Sequence, residues 1–507
     1  MTRAIARHAT FLSVLLVCSF PSLHAQDSSS TLIINAQIAD GTGAPLRKAN
    51  VRIKADRIAE IGNLKPSVSE RVINAKGFVL SPGFIDIHNH STEGLDSDPL
   101  AETQISQGIT SLVVGADGDS PWPIAPWIET RRKNPASLNV AVMAGHATIR
   151  EQVLAKDFKR ISTPAEVEKM SRLTTQAMQE GANGLSSGLE YEVGSYSATN
   201  EVIAMSAAAA KFPGAFYMTH IRDEADRSFE ALKEEIEIGE KAHIPIEHSH
   251  IKLGTVGVWH KAPEYIRVIE AARKRGVDFL ADCYPYDAWH SNIKVLVPDK
   301  QYEDPKSVEK ALSDVGGASH VTITSFKPNP SYEGHTIEEL AKQNSVTAID
   351  MYIRLIREGD AANTEAGVIG QTMIEPDIKA LYQQPWVMVA SDGGIGSHHP
   401  RGAGTFPRVL GLYVREKHWF TLQEAVRKMT SLPAQRLTWN DRGVIREGAY
   451  ADLVLFNPQT VIDRSTFKQP FELATGIENI WVNGSLVWAD AKPTGAKPGR
   501  VLTPTTP

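Results

Sequence analysis

The middle of the chain alternates between short apolar runs and longer amphipathic stretches. The apolar runs predict eight strands, at 83–88, 111–115, 138–144, 184–187, 216–220, 244–250, 278–283 and 386–391. Amphipathic stretches predict helices at 164–180, 200–211, 228–242 and 263–275. Eight strands that alternate with helices favour an α/β fold, a (β/α)8 TIM-like barrel. A doubly wound open sheet is the alternative, but no glycine-rich phosphate motif follows the first strand.

The two ends of the chain have a different pattern, with short strands broken by glycine. We therefore expect a flanking β-sandwich built from both chain ends, residues 26–80 and 436–507. The barrel is predicted to cover residues 81–435. Within it, residues 291–345 are too many for one strand-to-helix connection, which predicts an inserted lid.

The first 25 residues have the pattern of a secretory signal peptide. Arg3 and Arg7 precede an apolar run, and a small-residue site predicts cleavage after Ala25. The apolar run is too short to cross a bilayer, so we expect no membrane anchor in the mature chain. The expected location is secreted, in the periplasm. Cleavage would leave Cys283 as the single cysteine, which excludes a disulfide within the mature chain.

The composition and net charge indicate which class of partner the protein binds. The chain has 507 residues, of which 42% are hydrophobic and 22% are charged, as is typical of a globular protein. Its net charge of −6 includes no basic excess, which argues against a nucleic-acid partner. We therefore expect a small-molecule ligand.

Histidine or aspartate follows six of the predicted strands. These residues are His88 and His90, Asp117, His146, His220, His248 and His250, and Asp392. The carboxyl ends of barrel strands share one rim, so residues far apart in sequence converge there. One histidine after an apolar strand is usually only a polar residue at a boundary, but six such strands are difficult to explain in this way. The pattern predicts a metal site on the rim.

Imidazole and carboxylate donors together suit Zn2+, and they also suit other divalent ions such as manganese. The sequence leaves open whether one ion or two are bound. An open coordination position lowers the pKa of a bound water to about 7 and so supplies a hydroxide nucleophile. Asp392 could take the proton of that water and pass it to a leaving nitrogen. Alternatively, Asp392 is only a turn residue in Ser391-Asp-Gly-Gly394.

Three further residues could bind the substrate. Lys252 lies two residues after His250, and Arg401 lies nine residues after Asp392. The two cations could hold a carboxylate, for which arginine has a suitable bidentate geometry. Tyr284 could add a hydroxyl donor, or it could pack as an aromatic residue at the top of the barrel. We expect a small-molecule substrate with a free carboxylate.

Several motifs resemble those of the amidohydrolase superfamily, and more closely those of the N-acyl-D-amino-acid deacylases. They are Pro82-Gly-Phe-Ile-Asp-Ile-His-Asn-His90, Thr219-His-Ile-Arg-Asp-Glu224, Ser249-His-Ile-Lys252, Ala390-Ser-Asp-Gly393 and Gly404-Thr-Phe-Pro-Arg-Val-Leu-Gly411. The resemblance implies a metal-bearing barrel beside a β-sandwich. It also implies hydrolysis of N-acyl-D-amino acids to a carboxylate and a free D-amino acid.

The resemblance also implies roles for individual residues. His220 and His250 correspond to principal zinc ligands, and His88 and His90 correspond to ligands of a second ion. Asp392 corresponds to the proton-shuttling residue. The positions expected to hold the substrate carboxylate are those of Lys252, Tyr284 and Arg401.

The chain departs from the family pattern after the second strand. The family commonly has a cysteine ligand within Gly-Asn-Cys-Gly, whereas this chain has Gly115-Ala-Asp-Gly118. Asp117 takes the cysteine's place, and a carboxylate is a harder donor that favours different metals. Glu190 also stands where an apolar residue is expected, and Asp287-Ala-Trp-His290 replaces small residues. Both changes indicate an altered substrate pocket.

Two other classes of function fit the same sequence, one enzymatic and one not. A dipeptidase or a cyclic-amide hydrolase would use the same type of metal site. The missing family cysteine also suits a catalytically degenerate binding protein. The sequence does not determine the preferred side chain, the acyl group or the oligomeric state.

Overall fold

The computed structural model describes residues 30–68 and 70–504, so the predicted signal peptide lies outside the described residues. The strands are β1 Thr31–Ile38, β2 Arg47–Lys54, β3 Arg57–Gly62, β4 Arg71–Asn74, β5 Val79–Pro82, β6 Phe84–Asp86, β7 Ile109–Val114, β8 Asn139–Val142, β9 Ala144–Gly145, β10 Gly184–Gly188, β11 Phe216–His220, β12 Ile246–His248, β13 Phe279–Cys283, β14 Trp289–Asn292, β15 Val321–Ser325, β16 Gly367–Gly370, β17 Val387–Val389, β18 Leu453–Phe456, β19 Ile477–Val482, β20 Ser485–Ala489 and β21 Lys492–Pro493.

The α-helices are α1 Gly94–Ser97, α2 Glu102–Ile105, α3 Ile124–Lys133, α4 His146–Leu154, α5 Pro164–Glu180, α6 Thr199–Ala209, α7 Ser228–Ala242, α8 Ala262–Lys274, α9 Pro305–Asp314, α10 Ile337–Asn344, α11 Ala348–Ala361, α12 Glu375–Tyr382, α13 Arg401–Arg408, α14 Leu422–Met429 and α15 Ser431–Arg436. Within the described ranges, none of them has the length and apolar character that a membrane-spanning helix requires.

Eight parallel strand positions form the predicted (β/α)8 barrel. β6, β7 and β8 pair in parallel, and β9 to β13 continue in parallel to β17. Only Met143 separates β8 from β9, so the two sheets are continuous in the chain. The first and last strands meet just beyond their ends, where Asp392 N donates to His88 O at 3.0 Å. The predicted barrel is therefore confirmed, and its closure lies beside the histidine pair.

Local sequence signals explain why the predicted barrel helices form where they do. α5 begins with a capping box in which Thr163 and Glu166 satisfy each other's backbone N–H groups. It ends at Gly181, whose φ of 114° lies in the left-handed region that terminates helices. The four helices predicted from the amphipathic pattern are α5 to α8, and all four are confirmed.

Both chain ends contribute to one nine-stranded sheet, in which β5 joins the N-terminal strands to β18. The buried side chains of Ile33, Val51 and Leu453 lie in a core that is separate from that of the barrel. Only Gly83 separates β5 from β6, and a Cβ there would lie 2.1 Å from the Thr110 hydroxyl. The sandwich is therefore joined directly to β6, the strand that precedes His88 and His90, and packs closely against β7.

The lid is a separate layer with its own sheet and core. β14, β16 and β15 form an antiparallel sheet, which packs with α9, α10 and α11 around buried Phe326, Leu340 and Tyr352. The layer runs from Trp289 to Gly370 and contains the predicted range of 291–345. The apolar face of α11 packs into the lid core and not onto the barrel.

Candidate active site

His88 and His90 follow the first barrel strand and face the same two carboxylates. The Nε2 atom of His88 lies 3.3 Å from Asp117 Oδ2 and 3.4 Å from Asp392 Oδ1. The Nε2 atom of His90 lies 3.5 Å and 3.1 Å from the same two oxygens. The backbone of this segment is held by the bond from His90 N to Gly393 O, at 2.7 Å. The predicted histidine pair therefore shares one polar centre.

Asp117 lies at the middle of this centre. Its Oδ2 atom is close to the histidine pair and also lies 3.7 Å from His250 Nε2. Asp117 has a φ of 53°, a left-handed conformation that aspartate tolerates better than most residues. Burial acts to raise the pKa of Asp117, but the charges of His88 and His250 outweigh it and hold that pKa well below its usual value. The carboxylate of Asp117, which follows β7, therefore contacts side chains from two other strand ends, those of β6 and β12.

His220 and His250 form the other side of the centre. His220 ends β11, His250 follows β12, and His220 Nδ1 lies 3.0 Å from His250 Nε2. The outer ring nitrogens meet carboxylates: His220 Nε2 lies 2.7 Å from Glu190 Oε2, and His250 Nδ1 lies 3.0 Å from Glu224 Oε1. The inner nitrogens thus face the space beside Asp117.

Asp392 follows the last barrel strand. It occupies a turn with a φ of 47°, but its side chain faces the centre. Oδ1 contacts His90, and Oδ2 lies 2.6 Å from an amino group of Arg401. Burial acts to raise the pKa of Asp392, but Arg401, His250 and His88 together hold it below its usual value. Asp392 is therefore an ionised carboxylate at neutral pH.

The donor set fits a divalent metal ion. Two groups of side chains bring their donor atoms within 4.8 Å of one another: His88, Asp117, His250 and Asp392, and His220, Glu224 and His250. All of the donors are imidazole nitrogens or carboxylate oxygens, which zinc accepts. Asp117 Oδ1 is buried and has no hydrogen-bond partner among the described residues. A bound cation would satisfy that oxygen, which is otherwise costly to bury.

The sequence matches a known protein family. The sequence profile described as "Amidohydrolase family" matches residues 71–488, which is most of the chain. The chain belongs to this family.

Relatives of this amidohydrolase confirm the resemblance to the deacylases. The D-aminoacylase of Alcaligenes xylosoxydans xylosoxydans is 34% identical over 499 residues, covering 94% of this chain and 97% of the relative. The N-acyl-D-glutamate deacylase of the same organism is 33% identical over 503 residues, with the same coverage of 94% and 97%. A solved N-acyl-D-glutamate deacylase from Bordetella bronchiseptica has a TM-score of 0.84 and 31% identity, covering 93% of this chain and 99% of that one. That structure is complexed with zinc and a phosphonate inhibitor that mimics the tetrahedral intermediate of the reaction.

The structure brings together the three residues predicted to bind substrate. The Arg401 guanidinium lies 4.7 Å from the centre of the Tyr284 ring, and the Lys252 ammonium lies 6.0 Å from it. Lys252 Nζ is 2.6 Å from Glu224 Oε2, and Arg401 is paired with Asp392. The Tyr284 hydroxyl is buried without a partner among the described residues. Their role in carboxylate binding stays a prediction that this geometry permits.

A cleft opens above these residues. His220, His250 and Asp392 line it on the barrel side. The lid lines the opposite side with mostly apolar side chains, namely Trp289, Val295, Leu296, Pro298, Ala311 and Val315. The lid therefore determines what surrounds a substrate above the polar centre.

Two strand-end histidines do not join the centre. His248 is the last residue of β12, and its Nδ1 lies 2.6 Å from Glu235 Oε2 on α7. His146 begins α4, and its Nε2 lies 2.9 Å from buried Glu201. Both are buried in side-chain networks behind the rim, which is the usual role of a polar residue at the end of a strand.

Sequence reasoning missed two carboxylates that support the centre. Asp282 accepts a hydrogen bond from His250 N at 2.8 Å, and its other oxygen lies 3.4 Å from His88 Nδ1. Glu224 contacts both His250 and Lys252. The available signals were a single charge within apolar β13, and an acid four residues after His220.

Proposed function

We propose that this amidohydrolase hydrolyses the amide bond of N-acyl-D-amino acids, releasing a carboxylate and a free D-amino acid. The main support for this proposal is the set of contacts that Asp392 makes. The ionised Asp392 contacts the histidine pair through one oxygen and Arg401 through the other, at the base of a cleft whose wall also carries Lys252. A proton acceptor, a metal-ligating cluster and a carboxylate-binding wall thus meet at one point. The relatives named as D-aminoacylase and N-acyl-D-glutamate deacylase support the same substrate class.

Lys252 and Arg401 would bind the α-carboxylate of the substrate, and Tyr284 would donate its hydroxyl to the same group. These contacts would fix the amide over the polar centre. The residues that would hold metal there are His88, His90, Asp117, His220 and His250. When bound, a divalent ion such as Zn2+ supplies Lewis-acid activation of water and of the amide carbonyl.

Asp392 would move the proton. Its carboxylate accepts a proton from the attacking water as the new C–O bond forms, and then donates that proton to the amine nitrogen as the C–N bond breaks. Arg401 is shared between Asp392 and the expected position of the substrate carboxylate. A substrate that takes over part of this contact leaves Asp392 a stronger base, because an adjacent cation lowers the pKa of a carboxylate.

The cleft favours substrates with uncharged, apolar side chains. Its lid side presents Val295, Leu296 and Val315, and the acid among the lid residues that line it is Asp314. Lys252 and Arg401 are the lysine and arginine side chains that line the cleft, and the α-carboxylate would use both. A second carboxylate, as in a D-glutamate substrate, would therefore enter an apolar region without a cation.

We expect zinc-loaded enzyme to hydrolyse N-acetyl-D-leucine at least about tenfold more efficiently than N-acetyl-D-glutamate, by comparison of kcat/KM. N-acetyl-L-leucine tests the stereochemistry, and N-acetyl-D-leucinamide tests the need for a free carboxylate. Both compounds should be poorer substrates than N-acetyl-D-leucine. Faster hydrolysis of an L,L-dipeptide or of a cyclic amide than of every N-acyl-D-amino acid would contradict the proposal and favour one of the related activities.

We propose in addition that the enzyme is exported to the periplasm. The charged and apolar pattern before Ala25 supports this location. Expression of the full chain in a Gram-negative host, followed by fractionation and N-terminal sequencing, tests it. The expected mature chain begins at Gln26 in the periplasmic fraction, whereas an uncleaved cytoplasmic chain would contradict export.

A further inference from the structure

Glu190 is a largely buried carboxyl group on the wall of the cleft that the proposed mechanism does not use. It follows β10, and its Oε2 atom lies 2.7 Å from His220 Nε2. Among the described residues, no lysine or arginine forms an ion pair with it. Its remaining polar contact is a long one, from Glu224 N to Oε1 at 3.5 Å. The Glu190 carboxyl group therefore interacts mainly with His220.

The segment around Glu190 is held in place by close packing. A Cβ on Gly188 would lie 2.3 Å from the backbone oxygen of Asp117, so the loop after β10 packs directly against the shared carboxylate's own backbone. Tyr191 places its ring 4.4 Å from the ring of His220. Backbone packing and the Tyr191 ring thus surround the segment in which Glu190 meets His220.

The proton on His220 follows from this contact. An ionised carboxylate can only accept hydrogen bonds, so Nε2 must carry the hydrogen of the neutral ring. The lone pair is then on Nδ1, which lies 3.0 Å from His250 Nε2 on the side of Asp117. The other tautomer would direct an N–H bond at the metal position and could not bind an ion there.

Glu224 makes a different contact with His250. Its carboxylate lies 3.0 Å from His250 Nδ1, but it is also paired with Lys252 at 2.6 Å. The Lys252 ammonium in turn lies 2.8 Å from His250 Nδ1. The two partners of His250 Nδ1 therefore favour different tautomers, whereas His220 Nε2 meets only carboxylates, Glu190 at 2.7 Å and Glu224 at 3.6 Å.

We propose that Glu190 is a positioning residue of the metal centre, which fixes His220 in the orientation and tautomer that presents Nδ1 to the metal. The inference rests on the proposed metal-dependent function. A carboxylate behind a ligating histidine also makes the imidazole a stronger donor. Loss of such a partner typically lowers metal affinity by about 10- to 100-fold.

The test compares zinc affinity in Glu190→Ala, Glu190→Gln and wild-type enzyme, measured by competition with a chelator of known affinity. We expect the alanine variant to bind zinc about 10- to 100-fold more weakly. The glutamine variant keeps an acceptor oxygen without the charge, so its affinity should lie between the other two. The matched control is Glu192→Gln, because Glu192 lies two residues away and is half-exposed in an ion pair with Lys159. The control should bind zinc like the wild type.

Thermal unfolding of the metal-free proteins separates positioning from a general structural effect. We expect similar Tm values for the metal-free wild type and the glutamine variant. If Glu190→Ala does not fold, the zinc affinity of the near-isosteric glutamine variant is compared with that of the wild type instead. Wild-type zinc affinity in a folded Glu190 variant would overturn the inference. Zinc affinity is measured without substrate, so this outcome stays distinct from failure of the wild type to hydrolyse N-acyl-D-amino acids.

Discussion

Replacing Asp392 with asparagine is expected to lower kcat for N-acetyl-D-leucine by about 10^2- to 10^4-fold. The amide has nearly the same shape as the carboxylate but cannot accept and return a proton at neutral pH. Its oxygen can still face His90, which lies 3.1 Å from Asp392 Oδ1. The five residues predicted to hold metal are unchanged, so we expect zinc to remain bound. Steady-state kinetics and the zinc content of the purified variant measure the two effects separately.

Asp360→Asn is the matched control for this experiment, because Asp360 lies on the lid and pairs with Lys294 at 2.7 Å, away from the polar centre. Its kcat should equal that of the wild type. Turnover near the wild-type level in Asp392→Asn would show that Asp392 does not transfer the proton. Loss of zinc together with activity would instead assign Asp392 mainly to metal binding.

Replacing Asp117 with alanine is expected to have the second largest effect. Asp117 Oδ2 faces His88, His90 and His250, so its loss removes the one donor that both sides of the centre share. We expect zinc occupancy to fall and kcat/KM at limiting zinc to drop by about 100-fold or more. Metal analysis after dialysis and activity titrated against free zinc give the two readouts.

Asp117→Cys distinguishes a metal ligand from a purely structural carboxylate. A thiolate restores a donor at the position where the family commonly has cysteine, and it is softer than the carboxylate. We expect this variant to recover zinc binding that Asp117→Ala has lost, with a greater relative preference for softer ions. Full activity of the alanine variant at limiting zinc would show that Asp117 does not hold the metal.

The barrel and most of the site could be predicted from the sequence because their signals are local or periodic. Each barrel strand is an apolar run, and strand ends of one barrel must share a rim, so His88, His220 and Asp392 could be placed together without coordinates. The outcome for the lid was different. Its boundary at Gly370 depends on β16 pairing with β14 and β15, a long-range contact that no short segment encodes.

The supporting carboxylates could not be assigned roles from the sequence for a related reason. Glu190 was recognisable as an unexpected charge, but only the fold shows that it meets His220 at 2.7 Å. Asp282 contacts His88 and His250, which belong to two other strand ends. Conversely, His248 fits the strand-end pattern but points outward to Glu235, because β12 ends at His248 and the chain turns before His250, whose φ of 37° is left-handed.

The metal dependence of hydrolysis tests the proposed metal-dependent mechanism. Enzyme stripped with a chelator, and shown to be metal-free by mass spectrometry, is assayed with N-acetyl-D-leucine while zinc is added back. We expect no measurable turnover without metal, and recovery of activity as zinc reaches one or two ions per chain. Full hydrolysis by the verified metal-free protein would contradict this mechanism.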